Sequence, residues 1–184
     1  MIGTWRISTY NAALTALYFI PAWTLASYKI AIAPIHGLYD RPNIAFGIFF
    51  SDYLQLSSAG TIRAAWLLVV LRMTTVAFLV VFVLQVARPS SRLKGEGNEA
   101  FLVALVIGSI MSLLAMCIAA EAGEAAALHL HATETLLLAA SAILALAEPW
   151  LQPRGSDSLT PARFAPAPAM TGAAPIPEAR QMLP

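Results

Sequence analysis

The sequence predicts an all-α integral membrane protein: a four-helix transmembrane bundle with a short interfacial or re-entrant segment and a disordered C-terminal tail. Three observations carry this. Of 184 residues, 59% are hydrophobic and only 11% are charged, whereas a soluble domain carries about 25% charged residues. The apolar residues are gathered into runs of about 20, the helical length that crosses a hydrocarbon core of about 30 Å. The last stretch of chain, in contrast, is rich in Pro and Ala and poor in large apolar residues.

The first span is expected at about 10–33. Pro21 sits in its middle and predicts a kink. Trp5, Tyr10 and Tyr28 suit interfacial positions near its ends. Ala31-Ile32-Ala33 has the small-x-small form of a cleavage site. The sparse positive charge before the run, the length of the run and Pro34 directly after it argue instead for a retained anchor.

The second span is expected at 64–87, stopped by Arg88-Pro89. Between the first two spans, Pro34, Gly37 and Asp40-Arg41-Pro42 carry turn chemistry. Asn43 to Phe50 is then too short to cross, so it is expected to pack on the bundle as the interfacial or re-entrant segment. Ser57 to Thr61 reads as a loop that caps the second span. The third span is expected at about 100–120, after a short polar link from Pro89 to Glu99. The fourth is expected at 128–148, ended by Glu148-Pro149-Trp150, with Ala125-Ala126-Ala127 able to start its helix earlier. Residues 1–151 therefore form the bundle and residues 152–184 the tail, which lacks the apolar content to offset its ordering entropy.

Lys and Arg set the orientation. With four spans, Arg6, Arg88, Arg92, Lys94, Arg154, Arg163 and Arg180 share one side, and Lys29, Arg41 and Arg63 the other. That bias places both termini in the cytoplasm, in a bacterial inner membrane or its equivalent.

Charges inside spans are penalised by lipid, at about 2.5–3.5 kcal/mol for a central Arg or Asp. Arg72 lies about 22 Å from the end of the second span and Glu134 about 21 Å from Glu148 on the fourth, at about 1.5 Å per residue. Equal depth predicts an intramembrane ion pair between them, structural or functional. A second group gathers on the outer side: Glu121, Glu124, His131 and Glu134, with His36 and His129. Glu121 and Glu124 are spaced i,i+3, as are His131 and Glu134, so each pair shares a helix face. Carboxylate and imidazole on two helices are the ligands a transition metal takes, and a haem held by His131 would need an axial partner such as His36. The Glu-x-x-His repeat of carboxylate bundles is absent, and polar residues at a helix–helix turn are the plainer explanation. Small residues also recur at four-residue spacing: Gly108 and Ser112, then Ala115, Ala119, Gly123 and Ala127. Such stripes let helices approach closely, within the chain or against a partner. Cys117 is alone in the chain and is expected to behave as a small core residue.

No P-loop, dinucleotide-binding glycine pattern, Gly-x-Ser-x-Gly or His-Glu-x-x-His occurs, so no catalytic motif points to an enzyme. A net charge of +1 offers nothing to nucleic acid. Three roles remain. The leading one is an accessory or structural subunit of a larger membrane complex, its partners the lipid bilayer and other subunits or copies of itself. The others are a metal- or haem-linked redox or transport protein, and a small homo-oligomeric channel or transporter.

Overall fold

The structure, a computed structural model, describes residues 7–88 and 97–151. The expectations about Trp5, Arg6, most of the link before Glu99 and the tail from residue 152 lie outside them. The described residues are helical: α1 (Ile7–Ile32), α2 (Pro34–Leu38), α3 (Ile44–Ile48) continuing into a π-helical turn (Phe49–Tyr53), α4 (Ser58–Ala87), α5 (Asn98–Glu121) and α6 (Ala125–Leu151).

The four long helices close into a ring. α1 packs on α4 and α6, and α5 fills the other side between α4 and α6. Neighbours run antiparallel: Ser8 of α1 meets Glu148 of α6, and Phe82 of α4 meets Phe101 of α5 with ring centroids 4.9 Å apart. The core holds Phe19, Trp23, Leu68, Val76, Phe82, Phe101 and Leu138. The outward faces are apolar as well, carrying for example Leu17, Leu67, Leu84, Val106, Leu114, Leu136 and Leu146.

Local chemistry sets the boundaries. Ser57 caps α4 by accepting from the Gly60 N–H at 3.3 Å, which satisfies one of the free N–H groups of the first turn. Ser58 to Thr61, expected as loop, are therefore the first turn of the helix. α4 stops at Arg88 because Pro89 lacks an N–H and disfavours helical backbone before it. α5 ends where Gly123 takes φ +70° and its N–H bonds to the Ala120 carbonyl at 3.3 Å. α6 begins directly after, at the Ala125-Ala126-Ala127 run, and continues through Pro149 to Leu151 rather than stopping at Glu148. α1 passes through Pro21 as one helix.

Among the described residues, three helices are long and apolar enough to cross a membrane: Ser58–Ala87, Asn98–Glu121 and Ala125–Glu148. Four were expected. α1, with 26 residues, is as long, but Ser8, Thr9, Asn11, Thr15, Thr24, Ser27 and Lys29 make it more polar. The fold is thus all-helical, with long apolar helices in an arrangement consistent with a multi-pass membrane protein.

The segment between α1 and α4 folds back onto the bundle. Gly37 makes that possible: a Cβ there would sit 2.6 Å from the Ile30 Cα, so only glycine allows α2 to lie against the backbone of α1. Leu38, Asn43, Ala45 and Phe46 are buried as a result.

Candidate functional site

The interior of this apolar body is its polar part. Buried side chains include Thr15, Ser27, Asn43, Arg72, Thr75, Ser112, His131, Glu134 and Ser141. Four of them meet in the part of the bundle against which the segment around α3 packs. Arg72 (4% exposed) comes from α4, His131 (2%) and Glu134 (5%) from α6, and Asn43 from the turn before α3.

Arg72 Nη1 donates to Asn43 Oδ1 at 2.5 Å, and its guanidinium carbon lies 6.0 Å from the centroid of the Phe46 ring. Glu134 uses both carboxyl oxygens. Oε1 accepts from Trp23 Nε1 at 3.1 Å, and Oε2 lies 2.9 Å from His131 Nδ1. The i,i+3 spacing of His131 and Glu134 places them on one helix face. Phe46 also meets the His131 ring edge-on, at 6.3 Å.

The expected Arg72–Glu134 ion pair does not form as a direct contact among the described residues. Asn43 takes the guanidinium, while Trp23 and His131 take the carboxylate. Equal depth does bring the two charges to the same place, however, because both line the same two hollows. One is an inner cavity of about 10 Å³, also lined by Trp23, Ser112 and His131; about 10–15 Å³ by this measure holds one water. The other is a cleft of about 310 Å³ between α1 and α6, walled by Tyr18, Ala22, Trp23, Leu25, Ala26 and Leu130, with Lys29 and Pro42 at its rim. Two buried polar atoms at the inner cavity have no hydrogen-bond partner: His131 Nε2 and Ser112 Oγ.

Beyond the rim Lys29 bonds to Asp40. That bond, with the nearby Lys29 and Arg41 charges, holds the Asp40 carboxyl below its ordinary range.

Elsewhere along their interface, α1 and α6 share a second polar station. Asn11 Nδ2 donates to Ser141 Oγ at 2.9 Å, Thr15 and Ser141 hydroxyls are 2.8 Å apart, and Ser8 donates to Glu148. Ser141 is two turns, or about 10 Å, from Glu134. Phe19 and Leu138, both buried, occupy the level between, with Thr75 beside Leu138 and its hydroxyl bonded back to the Leu71 carbonyl at 3.1 Å.

The outer histidine and glutamate cluster does not assemble. Among the described residues no three His, Cys, Asp or Glu side chains are grouped to hold a metal. His131 and Glu134 turn inward, whereas Glu121, His129 and His36 are exposed and Glu124 sits at the α5–α6 turn. His129 and His131 are separated by about 200° around the helix, which sends them to opposite sides.

The small-residue stripe is used inside the chain. Ser112, Ala115, Ala119 and Ala127 are buried, and Gly108 lies against Thr75 and Leu138. Gly123 is the exception: a Cβ there would meet nothing within 4 Å, and its role is the left-handed turn that ends α5. Cys117 is exposed rather than in the core.

Sequence reasoning missed Asn43, Trp23 and the second station. A signal for the last existed: His131, Glu134, Ser141 and Glu148 are spaced 3, 7 and 7 residues apart, the repeat of a single helical stripe. Compared with protein-family models, curated proteins and solved structures, the chain matches none.

Proposed function

We propose that this chain is a four-span membrane protein whose working part is a binding site for a small lipid-soluble molecule, formed by Arg72, His131 and Glu134 in the α1–α6 cleft. One observation carries the reading. Three ionisable side chains, each 5% exposed or less, together line a cleft of ligand size in a body whose outer faces are apolar. Small-molecule sites have this form: apolar walls, a few convergent polar groups, and a volume of about 300–1,000 Å³. Ionisable residues inside membrane helices mark such functional positions.

The fourth span is α1. Three of its polar residues face α6, where Asn11 and Thr15 find Ser141 and Ser8 finds Glu148, and Lys29 bonds to Asp40, while Leu14, Leu17 and Leu25 face outward. Between the two stations lie Phe19, Leu138 and a Thr75 hydroxyl already bonded to its own helix, which favours a site closed on one side over a path through the bundle. The accessory-subunit reading drew on the small size, the missing motifs, the tail expected to be loose and the small-residue stripe; of that stripe, all but Gly123 is occupied within the chain.

The test is native mass spectrometry of the full chain purified in mild detergent. A small adduct should accompany the wild type and be lost from Ala22→Leu, which narrows the cleft. A chain that carries no small molecule but brings a second membrane protein would overturn the reading in favour of an accessory subunit. Reporter fusions test the embedding: Gly37 should read outside, and Gly97 and Asp157 cytoplasmic.

A further inference from the structure

We infer that the ligand head accepted at this centre is a neutral hydroxyl, a phenol or alcohol carried on an apolar body, with its O–H donated to His131 Nε2. This rests on the binding-site reading above and specifies the chemistry of that site.

The argument begins with charge. Arg72 and Glu134 face the same cavity and balance one another, and Lys29 and Asp40 balance at the rim. No net field remains to draw an anion or a cation inward. The neutral imidazole is the form of His131 that adds no further buried charge. Nδ1 faces Glu134 Oε2 at 2.9 Å, and a carboxylate there selects the neutral tautomer that carries its proton on Nδ1, which makes Nε2 a bare acceptor.

That acceptor has no partner, although buried polar atoms are seldom left unpaired. Its complement is a hydrogen-bond donor. Arg72 presents the opposite need. Asn43 engages Nη1 alone, so the guanidinium has N–H donors left over for an acceptor. One hydroxyl oxygen answers both, giving its proton to His131 and receiving a hydrogen bond from Arg72. Ser112 Oγ, also unpartnered, can join it. The inner cavity has room for a single oxygen, and the cleft that shares Trp23, Arg72, His131 and Glu134 with it has room for an apolar body.

Two sources supply such an oxygen, water and a lipid-soluble hydroxyl compound, and the apolar cleft walls favour the second. Trp23 lines both hollows, so its fluorescence reports occupancy. The experiment uses the full chain in phospholipid vesicles, with Trp5, Trp66 and Trp150 changed to Phe. The quenchers are 4-bromophenol and 4-bromoanisole, which share the ring and bromine but differ in the O–H.

Bromophenol should quench Trp23 saturably, with an apparent affinity on the order of tenfold above that of bromoanisole, the worth of about one hydrogen bond of 1.4 kcal/mol. His131→Phe should abolish the saturable component and leave the collisional one. Should that variant fail to fold, Ser112→Ala, a smaller change at the same cavity, should weaken the bromophenol component alone. Equal, unsaturable quenching by both compounds leaves water as the occupant and overturns the inference. If an adduct is present in the mass spectrum while the two bromo compounds behave alike, the binding site stands and the hydroxyl head falls.

Discussion

Replacing Arg72 and Glu134 with Leu, singly and together, tests whether the centre is one electrostatic unit. In Arg72→Leu, Glu134 keeps a buried carboxylate without its neighbouring cation, and Asn43 Oδ1 loses its donor. Removing one partner of a buried charge pair costs about 3–5 kcal/mol. Glu134→Leu does the same to Arg72 and also removes the acceptor of Trp23 Nε1 and His131 Nδ1. An unsatisfied buried donor costs about 1–3 kcal/mol, so the glutamate change should be the more damaging of the two. The double variant contains neither charge. Its remaining defects are neutral groups, and its loss should fall short of the sum of the two single losses by about 2–3 kcal/mol. The residues need not touch for this coupling, because both line one small cavity in which water screens little. The assay is reversible unfolding in mixed micelles followed by circular dichroism, with exposed Glu121→Leu as a control expected within about 0.5 kcal/mol of wild type. Losses that add to within about 0.5 kcal/mol would refute the shared centre and leave two independent polar sites.

Other outcomes are expected from single features. Gly37→Ala places a methyl group against the Ile30 backbone and should cost about 3 kcal/mol by unfolding in the same micelles. Gly123→Ala has free space but a left-handed backbone and should cost only about 1–2 kcal/mol. The Asp40 carboxyl should titrate below its ordinary value, held there by Lys29; Lys29→Met should return it upward, as read by carboxyl carbon NMR. Because the folded value is the lowered one, any stability this tie lends is present at neutral pH and lost as pH falls through it. Truncation after Gln152 should leave insertion and unfolding nearly unchanged, since the removed segment is poor in large apolar residues.

The long helices were legible because composition and run length suffice to find them, and among the described residues three meet the length and apolarity of a span outright. Their boundaries were read less well where side-chain capping decided them. Capped by Ser57, α4 starts at Ser58, six residues before Ala64, at a sequence that otherwise reads as loop. The depth of Arg72 and Glu134 was legible too, since helical rise is a constant. What lay beyond reach was azimuth across helices. Glu121, Glu124, His129 and His131 are close in sequence at one turn, and only the antiparallel packing of α5 on α6 decides which of them turn inward. The stripe of small residues posed the same question, and Leu138 and Thr75 against Gly108 answered it in favour of internal packing.

Asn43 shows why a site can hide in a correctly located segment. Its place was expected to pack on the bundle, yet nothing local marks it as the partner of Arg72. That role depends on a chain of longer-range facts. Gly37 lets α2 press against Ile30. Asn43 then reaches back through Nδ2 to the Gly37 carbonyl at 2.9 Å, which uses the amide nitrogen and fixes which way the side chain points. Its oxygen is left to accept from Arg72. With the guanidinium tied there, Glu134 is free to hold the imidazole, and the imidazole is left with one open nitrogen. A missing Cβ at Gly37 is thus tied, through a single amide, to the acceptor on which the proposed ligand chemistry depends. Gly37→Ala should therefore weaken bromophenol quenching of Trp23 even under conditions where the chain stays folded.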